Sequence, residues 1–584
     1  MIEKKYPSRR RTSAKPSFPV GTPTKEPDEK QKLKIIPLGG LEEVGLNMTV
    51  FEYENDIVII DMGLQFPEEN MPGIDYIIPN ISYLKGKEKN IRAVIFSHSH
   101  LDHIGAAPIL LRELNYPPIV GRDLTLSMIK HRLEDQEKNS SKRLKTIQIN
   151  KLADSFGFGA FRAGFFQVEH STIDSAGVIL KTPVGTIIHP GDWTMSRDEK
   201  GRPRIDYADL SRLPRPTILM LESLGSIDIR PSATNEEMRA NLDKLILQAK
   251  GRTIIGTFSS QIERVGWIFE IATKYGKKVA LDGYSMKMSV EIAKELGYIK
   301  IPKETLLKVN QIDKYPDDRV VVLCTGSQGE GNAVLSRIIS GGHKFIRLKK
   351  SDTVILSSSI IPGNERTIQR LKDSLYRQCD NVIHGSIMDI HVSGHGNRED
   401  IAQMLATIKP DYYIPVYANH YMLKEAAKLA VENKFNKDKI FVPDNGQIIE
   451  ATKDGVRLTN KKVPTNYVMV DGLGVGDVGQ VVLRDRQAMA QDGMFVIVVQ
   501  VDKQTGLVKA SPDIISRGFI YMRESKELLF EARNKVRDIV KESTGSGKSV
   551  DPDYIKNNIR DQIGKFLFQK TERRPMILPV VIEV

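Results

Sequence analysis

Residues 96–105, FSHSHLDHIG, place His98, His100, Asp102 and His103 within six positions of a chain that has 11 histidines in all. Imidazole nitrogens and carboxylate oxygens are the donors of zinc-type sites. At H-x-H-x-D-H spacing, a strand end and the turn after it can bring four of them together. Alternation along the turn would send His98 and His100 one way and Asp102 and His103 the other, which suggests two cations rather than one. The plainer reading is a polar loop whose histidines happen to cluster. Further donors follow apolar runs: Asp61 after DIVII, His170 in FFQVEHSTIDS and Asp192 in TIIHPGDW.

Such residues converge only if strands deliver them to one rim. The stretch after residue 32 supplies short strand-like runs: LKIIPLGG, MTVFEY, DIVIID, RAVIF, GVILKT and GTIIHPGD. They suggest a strand-rich layer with helices outside it. Near residue 217 the texture changes to continuous apolar runs ending in Ser or Gly: TILMLES, RTIIGTFSS, KVALDGYS, VVVLCTGSQGEG and TVILSSS. Buried parallel strands read this way, with functional loops at their carboxyl ends. The GSQGEG loop either offers backbone N–H groups to a phosphate or is an ordinary strand-to-helix turn. A connection over 455–490 leads to GMFVIVVQVDKQTGLV, read as a hairpin. Two amphipathic helices (about 524–542 and 552–570) and the strand MILPVVIEV complete a small α+β unit.

Composition bounds the partners. A chain of 584 residues is too long for one core. Two cysteines, Cys324 and Cys379, offer neither a disulfide framework nor a thiolate site. No run approaches the roughly 18 apolar residues of a membrane span, so no membrane partner is expected and the expected location is cytoplasmic. The formal charge of +12 favours a polyanion. Residues 1–32, rich in Lys, Arg, Pro and Ser, are expected to be a disordered basic tail, either inert or an arm that touches nucleic acid.

The order of Asp61, His98/His100/Asp102/His103, His170 and Asp192 matches the metal-site motifs of the metallo-β-lactamase superfamily. PLGGLEEVGLNM, GLQFPEENMPGIDYIIPNISYL, TGSQGE, IPGNE, HVSGHG, SRGFIY and RRPMILPVVIEV extend the likeness across residues 33–584. The chain resembles the ribonuclease J family, a bacterial member of the β-CASP branch. The resemblance implies an α/β fold: a metallo-β-lactamase αββα sandwich, an inserted β-CASP parallel-sheet domain and a small C-terminal α+β domain. The implied bounds are 33–220 and 381–454 for the lactamase domain, 221–380 for the insert, 455–490 for a linker and 491–584 for the last domain.

Carried onto this sequence, the resemblance implies that His98, His100 and His170 hold one zinc. Asp102 and His103 hold a second, Asp192 bridges both, and Asp61 orients ligands from behind. Asp192, Glu222 and His395 would be catalytic, and His391, Val392, Ser393, Gly394 and His395 would form a pocket for an RNA phosphate. Two cations a few ångströms apart would supply a hydroxide at neutral pH and stabilise charge on phosphate oxygens. The implied activity is a zinc-dependent, 5′-to-3′ exoribonuclease with endoribonuclease activity in mRNA decay and rRNA maturation. The implied substrate is single-stranded RNA, 5′-monophosphorylated. The implied assembly is a homodimer or homotetramer with RNA-decay partner proteins.

The chain departs from the family at PVYANHYML, where the usual motif is PVHGE. Tyr417 takes the place of a histidine that helps bind the second zinc. An unperturbed phenol, with a pKa near 10, is a poor ligand. Tyr417 is therefore expected to face the pocket without tight ligation, leaving the second site weaker, and Mn2+ or Mg2+ is an alternative to zinc as the metal. His420, three residues on, is either an outward-facing helix start or a substitute ligand, and Asn419 is a candidate cap. Two other readings stay open: an RNA-binding protein whose altered motif has weakened or ended catalysis, and a small-molecule metallo-hydrolase. The insert between Glu222 and His391, the basic balance and the C-terminal domain weigh against the last.

Overall fold

Short alternating strands need two partners: a second sheet for one face and helices for the other. A computed structural model describes residues 31–584 except 69, 230–233, 362, 389, 391–392 and 545–550. The first sheet runs Gly455–Lys462, Gln447–Thr452, Leu33–Gly39, Met48–Tyr53, Asp56–Ile60, Ile91–Ile95, Ile119–Gly121, Thr146–Gln148. The second runs Tyr412–Val416, Thr217–Glu222, Gly185–His189, Ala176–Thr182, Phe161–Gln167, Ser155–Phe158.

Successive side chains on a strand point to opposite faces, and here both faces are buried, alternate residues joining different cores. Leu33, Ile35, Phe51, Val58 and Ile60 meet Phe165, Val178, Leu180 and Met220 between the sheets. Their neighbours Ile36, Val50, Ile57 and Ile59 lie instead under the helices Ala107–Glu113 and Asp123–Gln136. On the far side, Ile188, Leu219 and Leu221 lie under Arg398–Ile408 and His420–Glu432. Each such aliphatic side chain contributes roughly 1.5–3 kcal/mol by burial. The result is the αββα sandwich.

The chain leaves this sandwich after Thr217–Glu222 and re-enters through Tyr412–Val416, which pairs in parallel with the strand of departure, Glu222 opposite Val416. Between them lies a six-stranded, wholly parallel sheet: Leu306–Leu307, Lys278–Asp282, Val320–Cys324, Thr253–Gly256, Thr353–Leu356, Asn381–Ile383. Both its faces are covered, with Ile255, Val279 and Val321 on one side and Ile254, Ala280 and Val322 on the other. Continuous apolar runs are what such a sheet requires. Thr217–Glu222, though equally apolar, belongs to the sandwich and not to this sheet.

Arg252 and Asp352 form a bidentate pair inside the insert, at 3.0 Å (Nε–Oδ1) and 2.6 Å (Nη2–Oδ2), with 2% and 0% exposure. Asp352 also accepts the Lys349 N–H at 2.9 Å. Asp352→Ala would strand a buried guanidinium and is expected to cost about 3–5 kcal/mol. Equilibrium urea unfolding followed by circular dichroism checks this; a loss under about 1 kcal/mol would mean that water reaches the arginine.

The stretch read as a linker, 455–490, is more structured than that. Gly455–Lys462 is the edge of the first sheet, Val468–Asp471 pairs with Tyr76–Ile78, and the helix Gln480–Asp492 follows. Gly455–Lys462 carries mostly polar residues, and the apolar run of Val468–Asp471 is only four residues long. In the last domain Met494–Val501 pairs antiparallel with Asp513–Arg517 and parallel with Met576–Glu583. The hairpin expected within 493–508 reduces to one bridge, Val501 to Val508. Helices Lys526–Thr544 and Pro552–Thr571 cover one face of this sheet. Most of the basic N-terminal stretch lies outside the described residues, but Lys32 is already buried and pairs with Glu450 at 3.6 Å. Among the described residues no helix is long and apolar enough to cross a membrane.

Candidate metal centre

Strands that run in one direction end on one rim, and the donors sit on the loops there. Asp61 follows Asp56–Ile60, Ser97 and His98 follow Ile91–Ile95, His170 follows Phe161–Gln167, Asp192 follows Gly185–His189, and Glu222 ends its own strand. Asp192 depends on Gly191, whose φ is +71° and whose added Cβ would come within 2.8 Å of Ser97 Cβ. A side chain there would push the turn off the histidine loop.

Two donor groups result: His98, His100, His170 and Asp192, and Asp102, His103 and Asp192, the atoms of each lying within 4.8 Å of one another. In the first, His98 Nε2 and His170 Nε2 stand 3.1 and 3.0 Å from His100 Nδ1. Donor atoms around a tetrahedral zinc lie about 3.3 Å apart, given bonds of about 2.0–2.1 Å. The second nitrogens are turned away, His98 Nδ1 towards Ser97 Oγ at 3.0 Å and His170 Nδ1 towards the Gly394 carbonyl at 2.6 Å. Burial holds all three imidazoles neutral, His98 well below its usual value, His100 at about 4 and His170 at about 3. Three neutral rings aiming lone pairs at one point fit a cation.

In the second group, Asp61 accepts the Ser97 N–H at 2.8 Å and takes His103 Nδ1 at 2.7 Å. That bond leaves His103 Nε2 to face Asp192 Oδ1 at 3.2 Å and Asp102 Oδ2 at 3.5 Å. Burial opposes charge on His103, yet Asp192, Asp102 and Asp61 together hold its pKa well above the usual value. Asp192 turns Oδ1 to this group and Oδ2 to the other, 3.8 and 3.9 Å from His98 and His170 Nε2. One carboxylate thus serves both groups.

His395 Nδ1 lies 3.9 Å from Asp192 Oδ2 and 3.7 Å from Glu222 Oε1, ion-pair contacts too long for hydrogen bonds. Burial opposes its charge, but Glu222 and Asp192 raise its pKa to about 9. Glu222 is itself raised by burial. Ser393 Oγ accepts the His395 N–H at 3.1 Å. A Cβ on Gly394 would sit 2.8 Å from the His170 ring, so glycine is needed for its carbonyl to reach that histidine. His391 and Val392 lie outside the described residues.

Tyr417 has a left-handed backbone, φ +60°, unusual for an aromatic residue. Its buried ring packs edge-on to His103 and tilted to His189, with centroids 5.3 and 5.2 Å apart. Burial, then Asp61, Asp192 and Asp102, raise its pKa well above the phenol value, so it stays neutral. His420 does not reach the second group. It opens the helix His420–Glu432 and clusters with Glu42 and Asp444 on a more open face. Asn419 precedes that helix without a side-chain capping bond.

Two residues near the second group carried no clear signal in sequence. Asn47 stands beside His103 and Asp102. His189 accepts the Gly191 N–H at 3.1 Å and so braces the turn that bears Asp192. His189 lies in the same TIIHPGDW string as Asp192, and its strand-end place is the signal that could have singled it out.

Comparison with known proteins matches four family models: the metallo-beta-lactamase superfamily over 42–246, the ribonuclease J beta-CASP domain over 250–375, the Zn-dependent metallo-hydrolase RNA specificity domain over 382–443 and the ribonuclease J C-terminal domain over 481–584. Ribonuclease J2 of Bacillus subtilis (strain 168) is 35% identical over 95% of this chain and 99% of its own. Ribonuclease J 1 of Streptococcus pyogenes serotype M3 is 37% identical over 94% of this chain and 97% of its own. Ribonuclease J 2 of Staphylococcus aureus (strain MRSA252) is 34% identical over 95% and 99%.

Proposed function

Since the chain belongs to the ribonuclease J family, we propose that it is a zinc-dependent ribonuclease that degrades single-stranded RNA from its 5′ end and also cuts internally. The proposed setting is decay and maturation of messenger and ribosomal RNA in the cytoplasm, as a homodimer or homotetramer with RNA-decay partners. The observation that carries this reading is Asp192, whose two oxygens face two separate donor groups. His98, His100 and His170 would hold one cation, and Asp102 and His103 the other, with Asp192 shared. Cations bound there supply a nucleophile at neutral pH and neutralise charge on phosphate oxygens. Asp61 sets the tautomer of His103. His395, flanked by Glu222 and Asp192, is placed to give a proton to the leaving 3′ oxygen, and Glu222 keeps that imidazole oriented and charged. The formal charge of +12 suits a polyanionic substrate.

The test is incubation of the purified protein with Zn2+ or Mn2+ and 5′-labelled single-stranded RNA. Labelled mononucleotide should appear first. Binding without cleavage would instead support the RNA-binding reading suggested by Tyr417. A pocket sized for one phosphate around Ser393 and the His395 N–H should exclude a bulkier, more charged triphosphate. RNA with a 5′-monophosphate is therefore expected to be degraded about tenfold faster than the triphosphate form, ~1.4 kcal/mol of discrimination. Ser393→Ala should narrow that ratio. Equal rates on the two RNAs in side-by-side exonuclease assays would refute this end preference.

A further inference from the structure

Among the described residues the second donor group offers three protein donors where the first offers four. Asn47 stands where a fourth would be. Its backbone is tied to both neighbouring loops: the N–H donates to the Asp102 carbonyl at 3.2 Å, and its carbonyl accepts the Gly63 N–H at 3.0 Å. The side chain is 2% exposed, and its amide nitrogen lies 2.9 Å from His103 Nε2 and 3.3 Å from Asp102 Oδ2. Those are the separations expected between donors on one small cation, about 3.3 Å for bonds of about 2.0–2.1 Å.

His103 Nε2 is the nitrogen that the Asp61 bond leaves free, so its lone pair is what a cation would take. The Asn47 amide NH2 end now stands 2.9 Å from His103 Nε2. A cation bound by His103 displaces that end, and a half-turn of the amide about its last bond brings Oδ1 into the same place. Oδ1 has no hydrogen-bond partner among the described residues in its present position, although it is buried. A buried carbonyl oxygen without a partner is costly, and coordination would remove that cost. The neighbouring Tyr417 is a neutral phenol and a weaker candidate.

We infer that Asn47 is the fourth protein ligand of the second cation, through Oδ1. An amide oxygen is a neutral hard donor, and with two carboxylates beside a single imidazole it shifts this site from Zn2+ towards Mn2+ or Mg2+. The inference rests on the two-cation reading given above.

The full-length protein, stripped of metal, is titrated with Mn2+ alone and with Zn2+ alone by calorimetry, with bound Mn2+ also followed by electron paramagnetic resonance. The wild type should take two Mn2+ per chain in two steps. Asn47→Ala should weaken the second step by at least about tenfold and leave the first unchanged. Asn47→Asp should tighten the second step. Tyr417→His should raise second-step Zn2+ affinity more than Mn2+ affinity, because it adds an imidazole. Thermal melts of the metal-free variants check folding, and Asn47→Asp carries the test if Asn47→Ala does not fold. An unchanged second step in folded Asn47→Ala, or no gain in Asn47→Asp, would overturn the assignment while leaving two cations in place. Uptake of one cation only by the wild type would overturn it together with the two-cation reading.

Discussion

Asp192→Ala is expected to lower RNA cleavage by more than about 10³-fold, the upper range for deleting one charge-stabilising group. Among the described residues, Asp192 alone belongs to both donor groups, with Oδ1 3.2 Å from His103 Nε2 and Oδ2 3.8 Å from His98 Nε2. Its removal would weaken both cations at once, so one substitution should act on two sites. RNA affinity should fall far less, because phosphate contacts by Lys and Arg supply most of it. Asp192→Asn keeps the volume and removes the charge, which separates loss of metal from collapse of the turn. Wild-type rates in either variant, with metal content shown to be lost, would end the two-cation account.

His395→Ala is expected to reduce kcat by about 10²–10⁴-fold, the span for a positioned proton donor, with metal content unchanged. The separation of effects follows from place. His395 approaches Asp192 and Glu222 no closer than 3.9 and 3.7 Å, and it lies outside both donor groups. Its side chain is 28% exposed, whereas those of His98, His103 and His170 are 1%, 0% and 0% exposed. Loss of a cation along with activity would make His395 a structural support instead. His395→Gln should keep the packing without restoring the rate.

Much of the candidate site was legible because one turn carries four of its candidate donors. His98, His100, Asp102 and His103 are neighbours in sequence, and chemistry alone groups them. Asp192 and His170 could be added because strand ends are where a sheet presents side chains. The layers were legible as short apolar runs, and MTVFEY, DIVII and VVVLC are all buried on both faces. Asn47 was not, since an asparagine is an unremarkable residue until its amide is found 2.9 Å from His103 Nε2, 56 residues away in sequence. His420 shows the converse. A histidine three residues from the expected ligand position invites substitution, but helix direction carries it to Glu42 and Asp444 instead. Within 455–490 the strand Val468–Asp471 is only four residues long, and its pairing with Tyr76–Ile78 joins segments almost 400 residues apart, which no local pattern encodes.

The most direct test is stepwise metal restoration. Protein stripped of metal is given one and then two equivalents of Zn2+ or Mn2+ per chain, and cleavage of 5′-labelled single-stranded RNA is followed after each addition. Cleavage should be absent without metal, slight at one equivalent and restored by the second. Full activity at one equivalent, or none with two cations demonstrably bound, would contradict a two-cation ribonuclease.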